Sequence, residues 1–496
     1  MRTFVPPMHL LSKSTYLRGK QCPKALWLYK HRPELRPPVS AGTQAIFDSG
    51  TEVGLLAQQR FPGGVDCTPE HHYDYAPALA ATQAALAAGA PVIYEAAFQH
   101  DGVLAALDIL VRDGDGWIAV EVKSSTRVKE QFVEDAALQY HVITASGVAL
   151  NAMHVMVIDT SYLRQGAVDV QRLFKLEDVT GQVRAMQPEV QARIAELKAV
   201  VQAEAEPVVG IGAHCDTPYA CDFKGHCWAH IPAKGSVLEL TNAREKQWEL
   251  YARGIVLMKD IPAEEPLYTS QSRQVDGWRY DRSIVEGERI RAWLSELRYP
   301  LHHFDFETVM PAVPLFDGTR PYQQLPFQYS LHVQTTPGAE PTHREFLGDA
   351  SGDPREALVQ QLLQDIGPEG DLLAYNASFE RACLRGLARD LPQHAPALLA
   401  LAERVKDLET PFKKGWYYVP AMNGQSSIKA VLPALVPALS YADLEVQEGM
   451  MASLRFAQLL RGEYTGDMEQ LRRDLLAYCK MDTLAMVKVL GVLEGV

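Results

Sequence analysis

Three of the seven cysteines in this 496-residue chain stand close together in the segment HCDTPYACDFKGHCW, at Cys215, Cys221 and Cys227. The N-terminal sequence MRTFVPPMHLLSKS has no sustained apolar stretch and no small-residue cleavage site, which predicts a cytoplasmic protein. In a reducing compartment, clustered cysteines hold a metal or a redox group more often than they form disulfides. The segment therefore predicts a bound inorganic group, whose fourth ligand must come from elsewhere and constrains the fold.

Length and charge set the broad class of the chain. A chain of 496 residues exceeds one ordinary domain, and it contains no apolar run long enough to cross a membrane, so no membrane partner is expected. Its net charge of -13 argues against unspecific adhesion to nucleic acid. Residues 13–36 differ, with seven basic residues, one acid and interleaved aromatic residues. This stretch fits either a track for single-stranded nucleic acid or a solvated amphipathic helix.

A candidate catalytic sheet follows in the first half of the chain. Three strand-like runs, VIYEAAF, VLAALDILVR and WIAVEVKSS, are joined by turn signals and precede the helical run KEQFVEDAALQYHVITASG and the strand candidate MHVMVID. Glu121 and Lys123 share one strand face, and Asp108 can lie opposite them. Because carboxylates gathered on one face are costly to bury without a cation, we expect a Mg²⁺ or Mn²⁺ site in which Lys123 orients or activates the attacking water.

Asp108, followed after twelve residues by Glu121-Val122-Lys123, resembles the signature of the PD-(D/E)XK nuclease superfamily. The resemblance implies a restriction-endonuclease-like fold with Glu95 as an additional acidic ligand. It also implies that Gln139 and Tyr140 form the helix motif of the RecB-like branch. That branch often carries a metal-binding histidine in an N-terminal helix, where this chain has Glu52 and no histidine.

RecB-like nucleases of the CRISPR-associated and AddB types hold an iron-sulfur cluster with one cysteine before the nuclease core and three after it. The resemblance implies that Cys22, Cys215, Cys221 and Cys227 hold a structural 4Fe-4S cluster, which closes residues 1–235 into one domain. The alternative is a zinc site made of the three clustered cysteines and a nearby histidine, with candidates at His214, His226 and His230. Cys67, Cys383 and Cys479 are expected to be unligated.

A second group of acids lies in the last third of the chain. Asp305 and Glu307 share a strand face in LHHFDFETV, and Glu380 lies on a helix that follows Asn376. Tyr478 and Asp482 stand one helical turn apart. Four acids from three segments, with no basic residue repeating beside them, indicate bound cations.

This second set resembles the DnaQ-like, or DEDD, 3′-5′ exonucleases on an RNase H-like fold. The resemblance implies that Asp305, Glu307, Glu380 and Asp482 bind two metal ions and that Tyr478 orients the attacking water. Glu380 stands where the family usually has Asp. Asp407 and Asp443 are further candidates, and residues 413–435 form either a loop and helix near the substrate or an ordinary packed loop.

The chain as a whole resembles an uncharacterised bacterial family that joins the two nuclease modules. We predict an α/β protein with a RecB-like domain at residues 1–235, a helical connector at 236–298 and a DnaQ-like domain at 299–496. The resemblance implies a nuclease with two metal centres acting on DNA, at single strands or ends, in repair or defence. The alternatives are a nucleic-acid-binding or assembly protein with one or both centres inactive, and an exonuclease acting on RNA. Protein partners are not indicated.

Overall fold

The computed structural model describes residues 9–71, 74–441, 444–446 and 448–496. The chain is a mixed α/β protein, and these residues form two large sheets and one small one. It forms two compact units, the first made of Met1–His230 with Ala312–Tyr322 and the second of Ile231–Pro311 with Gln323–Val496. Among the described residues, no helix is both long enough and apolar enough to span a bilayer.

The first unit combines one twisted sheet with nine helices among its described residues. Its strands are β1 (Leu11–Ser12), β2 (Val65–Asp66), β3 (Val92–His100), β4 (Val103–Asp113), β5 (Gly116–Val122), β6 (Leu150–Ile158) and β7 (Phe174–Asp178). Its helices are α1 (Lys13–Gln21), α2 (Pro23–His31), α3 (Ala41–Gln58), α4 (Ala76–Ala87), α5 (Glu130–Ala145), α6 (Val170–Leu173), α7 (Thr180–Ala185), α8 (Gln187–Gln202) and α9 (Lys224–Cys227).

The first sheet has the order β2-β3-β4-β5-β6-β7, with β1 pairing parallel to the start of β4. β3, β4 and β5 form an antiparallel meander, and β6 joins β5 in parallel after the crossover helix α5. Buried residues of α5, such as Ala136, Val142 and Ile143, belong to the same core as Leu107 and Val155 of the sheet. This packing fixes α5 against the face of the sheet that carries the acidic residues of β4 and β5.

The second unit contains the remaining elements. Its strands are β8 (Ile284–Val285), β9 (Leu301–Val309), β10 (Leu325–Gln334), β11 (Thr342–Leu347), β12 (Asp371–Ala374), β13 (Val405–Asp407) and β14 (Tyr417–Tyr418). Its helices are α10 (Lys246–Ala252), α11 (Thr269–Tyr280), α12 (Gly287–Leu294), α13 (Arg355–Asp365), α14 (Ser378–Asp390), α15 (Ala395–Arg404), α16 (Thr410–Lys413), α17 (Ile428–Leu435), α18 (Gly449–Arg461) and α19 (Met468–Glu494).

The second sheet has the order β11-β10-β9-β12-β13. β9, β10 and β11 pair antiparallel, and β12 and β13 continue the sheet in parallel with β9. Cores lie on both sides of it: Phe304 and Leu384 pack in one, and Leu301 and Leu490 in the other. β9 is therefore the central strand and is buried on both faces, and it carries buried polar residues, His302, His303 and Glu307, among its apolar ones.

The strands and the helix predicted around the first site are confirmed, as β3, β4, β5, α5 and β6. The Ala-, Glu- and Val-rich segment 180–206 has the composition of one long helix, but it contains two helices, α7 and α8. Pro188 occupies the first turn of α8, where its missing N–H is tolerated, so the chain starts a new helix there.

The predicted connector at residues 236–298 belongs to the second unit. β8 pairs with β14, and Ile290 and Leu297 lie in the same buried core as Leu490 of α19. The segment Ala312–Tyr322, which sequence reasoning assigned to the second domain, belongs to the first unit. There Ala312 is buried, and the Tyr322 hydroxyl lies 3.0 Å from Ser124 Oγ.

Candidate functional site

Three acidic residues lie side by side on the first sheet. Glu95 and Asp108 lie between two paired positions of β3 and β4, and the β4–β5 pairing ends at Ile109 opposite Val120, one residue from Asp108 and Glu121. One oxygen of Asp108, Oδ2, accepts the Val122 N–H at 2.5 Å. The structure thus brings together the three acids that the sequence placed at this site.

Glu95 has a strained backbone within its strand. Its φ of 52° lies in the left-handed region, which costs a residue with a side chain about 1–2 kcal/mol. Burial, and then the charge of Glu121, raise the pKa of Glu95 to about 7. The same two causes raise the pKa of Asp108 well above its ordinary value. Without a bound cation, the carboxyl groups of Glu95 and Asp108 therefore keep their protons to higher pH than ordinary carboxyl groups do.

Lys123 is held by two buried carboxylates. Its Nζ lies 2.7 Å from Glu121 Oε1 and 2.6 Å from Asp135 Oδ2. Burial opposes its charge, but Glu121 and Asp135 outweigh burial and raise the pKa of Lys123. Sequence reasoning missed Asp135, although it stands one turn before Gln139 on α5. Gln139 Nε2 donates to Glu121 Oε2 at 2.8 Å and to Asp135 Oδ1 at 3.2 Å.

Lys13 and Tyr140 also lie in or next to the first centre, which we define as the cluster of Glu95, Asp108, Glu121, Lys123, Asp135 and Gln139. Lys13, at the start of α1, places its Nζ 2.6 Å from Glu121 Oε1, and no sequence signal pointed to it. Tyr140, predicted to act beside Gln139, has a different neighbour, because its hydroxyl accepts from Arg184 Nε at 3.1 Å. The residue after Gln139 on a helix points about 100° away, which explains the separation.

The second centre is assembled from β9, α14 and α19. Asp305 and Glu307 lie on the central strand, Glu380 on the first turn of α14, and Asp482 on α19. Asn376, with φ of 65°, turns the chain from β12 toward α14. The carboxylates are close enough to perturb one another electrostatically. All four acids predicted for this centre therefore meet in one place.

Burial and mutual repulsion make this second cluster reluctant to ionise. Burial, followed by the charge of Asp482, raises the pKa of Glu307 to about 8 and that of Asp305 well above its ordinary value. Burial raises the pKa of Glu380 to about 8 and that of Asp482 to about 6. The charge of Lys429 offsets only part of these increases at Glu307 and Asp482.

Two tyrosines contact the carboxylate of Asp482. The Tyr441 hydroxyl donates to its Oδ1 at 2.7 Å, and the Tyr478 hydroxyl is also hydrogen-bonded to it. Burial and the charge of Asp482 raise the pKa values of both tyrosines, so both hydroxyls stay protonated. Tyr478 was predicted at this centre, whereas Tyr441 has no sequence signal that could have found it.

Cys479 also lies at the second centre. It was expected to be an unligated residue, and its buried Sγ is 3.8 Å from Asp305 Oδ2. Ligand atoms of Asp305, Glu307 and Cys479 lie within 4.8 Å of one another. The adjacent candidate Asp407 accepts the Asn376 N–H at 3.1 Å and lies near Glu380, whereas Asp443 falls outside the described residues.

The four cysteines predicted as cluster ligands face one cavity. Cys22, Cys215, Cys221 and Cys227 line it together, and none of them forms a disulfide. Burial raises the pKa values of the Cys22 and Cys221 thiols, and backbone N–H groups that donate to their sulfurs offset part of this rise. The zinc candidate His214 also lines the cavity, whereas His226 pairs with Glu206 at 3.5 Å.

The basic stretch at residues 13–36 does not form an open track. Five of its seven cations pair with acids outside the stretch: Lys13 with Glu121, Arg18 and Arg36 with Asp222, Lys20 with Glu134, and Lys24 with Glu206. Tyr16 and Trp27 are buried in the first unit. The stretch is a structural ion-pair surface. In the second unit, Trp416, Tyr417 and Tyr418 of the 413–435 region likewise pack in a core.

The family model described as "Domain of unknown function (DUF2779)" matches residues 302–427, a range that includes Asp305, Glu307 and Glu380. The chain is similar to the "Uncharacterized protein MG366 homolog" of Mycoplasma pneumoniae, with 26% identity over 231 residues, 43% of this chain and 35% of the relative. It is also similar to "Uncharacterized protein MG366" of Mycoplasma genitalium, with 21% identity and the same coverage. "Uncharacterized protein UU173" of Ureaplasma parvum is 26% identical over 39% of this chain and 31% of its own length. The chain thus spans about a third of the length of these curated relatives.

Proposed function

We propose that this chain is a metal-dependent nuclease with two centres, the first of the RecB-like PD-(D/E)XK type and the second of the DnaQ-like DEDD type. The observation that carries the proposal is the second cluster, in which Asp305, Glu307, Glu380 and Asp482 are buried together. Burial raises the pKa values of all four acids, neighbouring carboxylates raise those of Asp305, Glu307 and Glu380 further, and a divalent cation would offset both effects.

The residues of the second centre fit such a cation. Glu380 is 2% exposed, and its Oε2 has no hydrogen-bond partner among the residues that the structure describes, as expected of an atom suited to ligate an ion. Oxygen donors suit Mg²⁺ or Mn²⁺, which would be held by Asp305, Glu307, Glu380 and Asp482. When bound, the metal supplies Lewis-acid activation of water and stabilises charge on a phosphodiester.

The chain's own residues supply position and protons at this centre. The tyrosines 441 and 478 fix the Asp482 carboxylate from two directions, so that its orientation is set before substrate arrives. Because the Tyr478 hydroxyl stays protonated, it orients a water through a hydrogen bond rather than acting as a base.

At the first centre, Glu95, Asp108 and Glu121 would hold the cation. Lys123 stays an ammonium at neutral pH, because Glu121 and Asp135 hold its proton. Its proposed role is therefore to stabilise negative charge on the reacting phosphate, whereas removal of a proton from water needs another group. Gln139 keeps the Glu121 carboxylate in one orientation.

For the cysteine cavity we propose a structural 4Fe-4S cluster held by Cys22, Cys215, Cys221 and Cys227. In a tetrahedral zinc site the sulfurs would lie about 3.8 Å apart, given Zn–S bonds of about 2.3 Å. Among the described residues, close triplets of ligand atoms, within 4.8 Å, occur at Asp305, Glu307 and Cys479 and not among these sulfurs. All four sulfurs line one cavity, which supports a group that takes four thiolate ligands.

The test is nucleotide release from labelled single- and double-stranded DNA, and from matched RNA, with Mg²⁺ or Mn²⁺. We expect Lys123→Ala and Asp305→Ala each to lower one activity by at least about a hundredfold, and the double variant to remove both. Glu403→Gln, on an exposed pair with Arg385, is the control. Unchanged cleavage by the double variant would assign the activity to a contaminant. Faster release of nucleotides from RNA than from DNA would identify RNA as the substrate instead.

A further inference from the structure

Lys13 occupies the part of the first centre where a cation would bind. Its Nζ lies 2.6 Å from Glu121 Oε1 and 3.6 Å from Asp135 Oδ2. The Lys123 ammonium contacts these same two oxygens, at 2.7 and 2.6 Å. Two ammonium groups on one pair of oxygens carry the charge of one divalent ion.

The backbone holds Lys13 in this position. β1 pairs in parallel with the start of β4, the strand that carries Asp108. Lys13 follows β1 directly as the first residue of α1, and Ser12 and Thr15 form a capping box around that helix start. α1 also packs against α5, which carries Asp135.

The two lysines differ in how firmly they are tied to the site. Lys123 is two residues after Glu121, directly past the end of β5, so its ammonium stays close to that carboxylate. Lys13 comes from a different element, 108 residues away, and its side chain is 30% exposed against 18% for Lys123. Of the two cations, Lys13 is the one that can leave.

We propose that Lys13 is a displaceable counter-ion of the first centre: it neutralises Glu121 until a divalent cation takes its place, and its ammonium then pairs with a phosphate of the bound nucleic acid. The inference rests on the proposed metal-binding function of this centre. The dication carries one more positive charge than the Lys13 ammonium it displaces, and the neighbouring carboxyl groups of Asp108 and Glu95 balance that extra charge, so the site is not left with an unpaired buried charge. It also gives the centre a phosphate contact that forms only when the metal is present.

The first measurement is Mn²⁺ binding, followed by calorimetry, in the full chain with Asp305→Asn and Asp482→Asn to silence the second centre. In this background we expect Lys13→Met to tighten Mn²⁺ binding at least tenfold, or about 1.4 kcal/mol. Lys20→Met is the matched control, because Lys20 lies on the same helix and pairs with Glu134 instead. Lys13→Gln is the second variant if the methionine variant does not fold.

The second measurement is the salt dependence of single-stranded DNA affinity in Mn²⁺, with Lys123→Met added to prevent cleavage. Loss of one phosphate contact should weaken binding and lower the log–log salt slope by about 0.7 in the Lys13 variant. If Mn²⁺ binding depends on Asp108 but Lys13→Met leaves its affinity unchanged or weaker, this inference alone is overturned. Absence of any Asp108-dependent Mn²⁺ binding overturns the proposed function of the first centre as well.

Discussion

Replacement of Glu307 by Gln is expected to stabilise the metal-free protein at alkaline pH. Burial and Asp482 raise the pKa of Glu307 from its ordinary 4.5 to about 8. The folded state then binds a proton that the unfolded chain releases, so the free energy of unfolding in chelator falls as pH rises from about 4.5 to about 8. This stability is present at acid pH and lost toward pH 8, the opposite of the usual carboxylate.

The magnitude follows from the size of the shift. At about 1.36 kcal/mol per pKa unit, ionising Glu307 in the folded state costs on the order of 4–5 kcal/mol at pH 8. A buried amide removes that cost but leaves hydrogen bonds unmade, at about 1–2 kcal/mol. We therefore expect a net gain of about 2–3 kcal/mol, or a rise of roughly 5–10 °C in Tm for a unit of this size.

The assay is thermal and urea denaturation in EDTA, followed by circular dichroism across this pH range, with Glu403→Gln as the exposed control. In saturating Mn²⁺ the wild type should be more stable than Glu307→Gln, because the wild type gains binding energy that the variant has lost. A wild-type Tm that is flat or rises from about pH 5 to about pH 8 in EDTA, or a Glu307→Gln variant less stable than wild type at pH 8, would refute the electrostatic reasoning.

Three further predictions address the first unit. Glu95→Gly should raise stability in chelator by about 1–2 kcal/mol, because glycine tolerates the positive φ, while weakening Mn²⁺ binding; urea titration and calorimetry report the two effects. Cys215→Ser should abolish a broad absorption near ~400 nm in purified protein and open residues 1–235 to proteolysis, whereas Cys67→Ser should leave the absorption intact. Gly19→Ala should destabilise by about 1–3 kcal/mol, since a Cβ there would lie 2.7 Å from Leu197 Cδ2 of α8; a neutral effect would mean that the helix contact is loose.

Many residues of both centres could be predicted from the sequence, because they stand a few positions apart on the same strand or helix. Alternation along a strand predicts that Glu121 and Lys123, or Asp305 and Glu307, share a face. Helical spacing does the same for Tyr478 and Asp482. Short turns then fix the register of β4 with β5, which is why Asp108 could be placed opposite Glu121.

The rest depends on contacts between distant segments, which no local pattern encodes. Lys13 reaches Glu121 across 108 positions, and Tyr441 reaches Asp482 across 41. The basic stretch at residues 13–36 shows the same limit, because its acidic partners lie far away in sequence. Asp135 is different: its helical spacing from Gln139 could have revealed it.

Lys13 and Cys22 stand at the two ends of the same nine-residue helix, about 13 Å apart along its axis. Cys22 caps the C-terminal end of α1 and precedes α2, so a group bound to its sulfur also fixes the position of that helix end. A helix held at one end transmits a shift to its other end, so oxidative loss of the cluster that we propose for this cavity would loosen the Lys13 ammonium. Oxidation at Cys22 would then change the affinity of the first centre for divalent cations before the first unit unfolds.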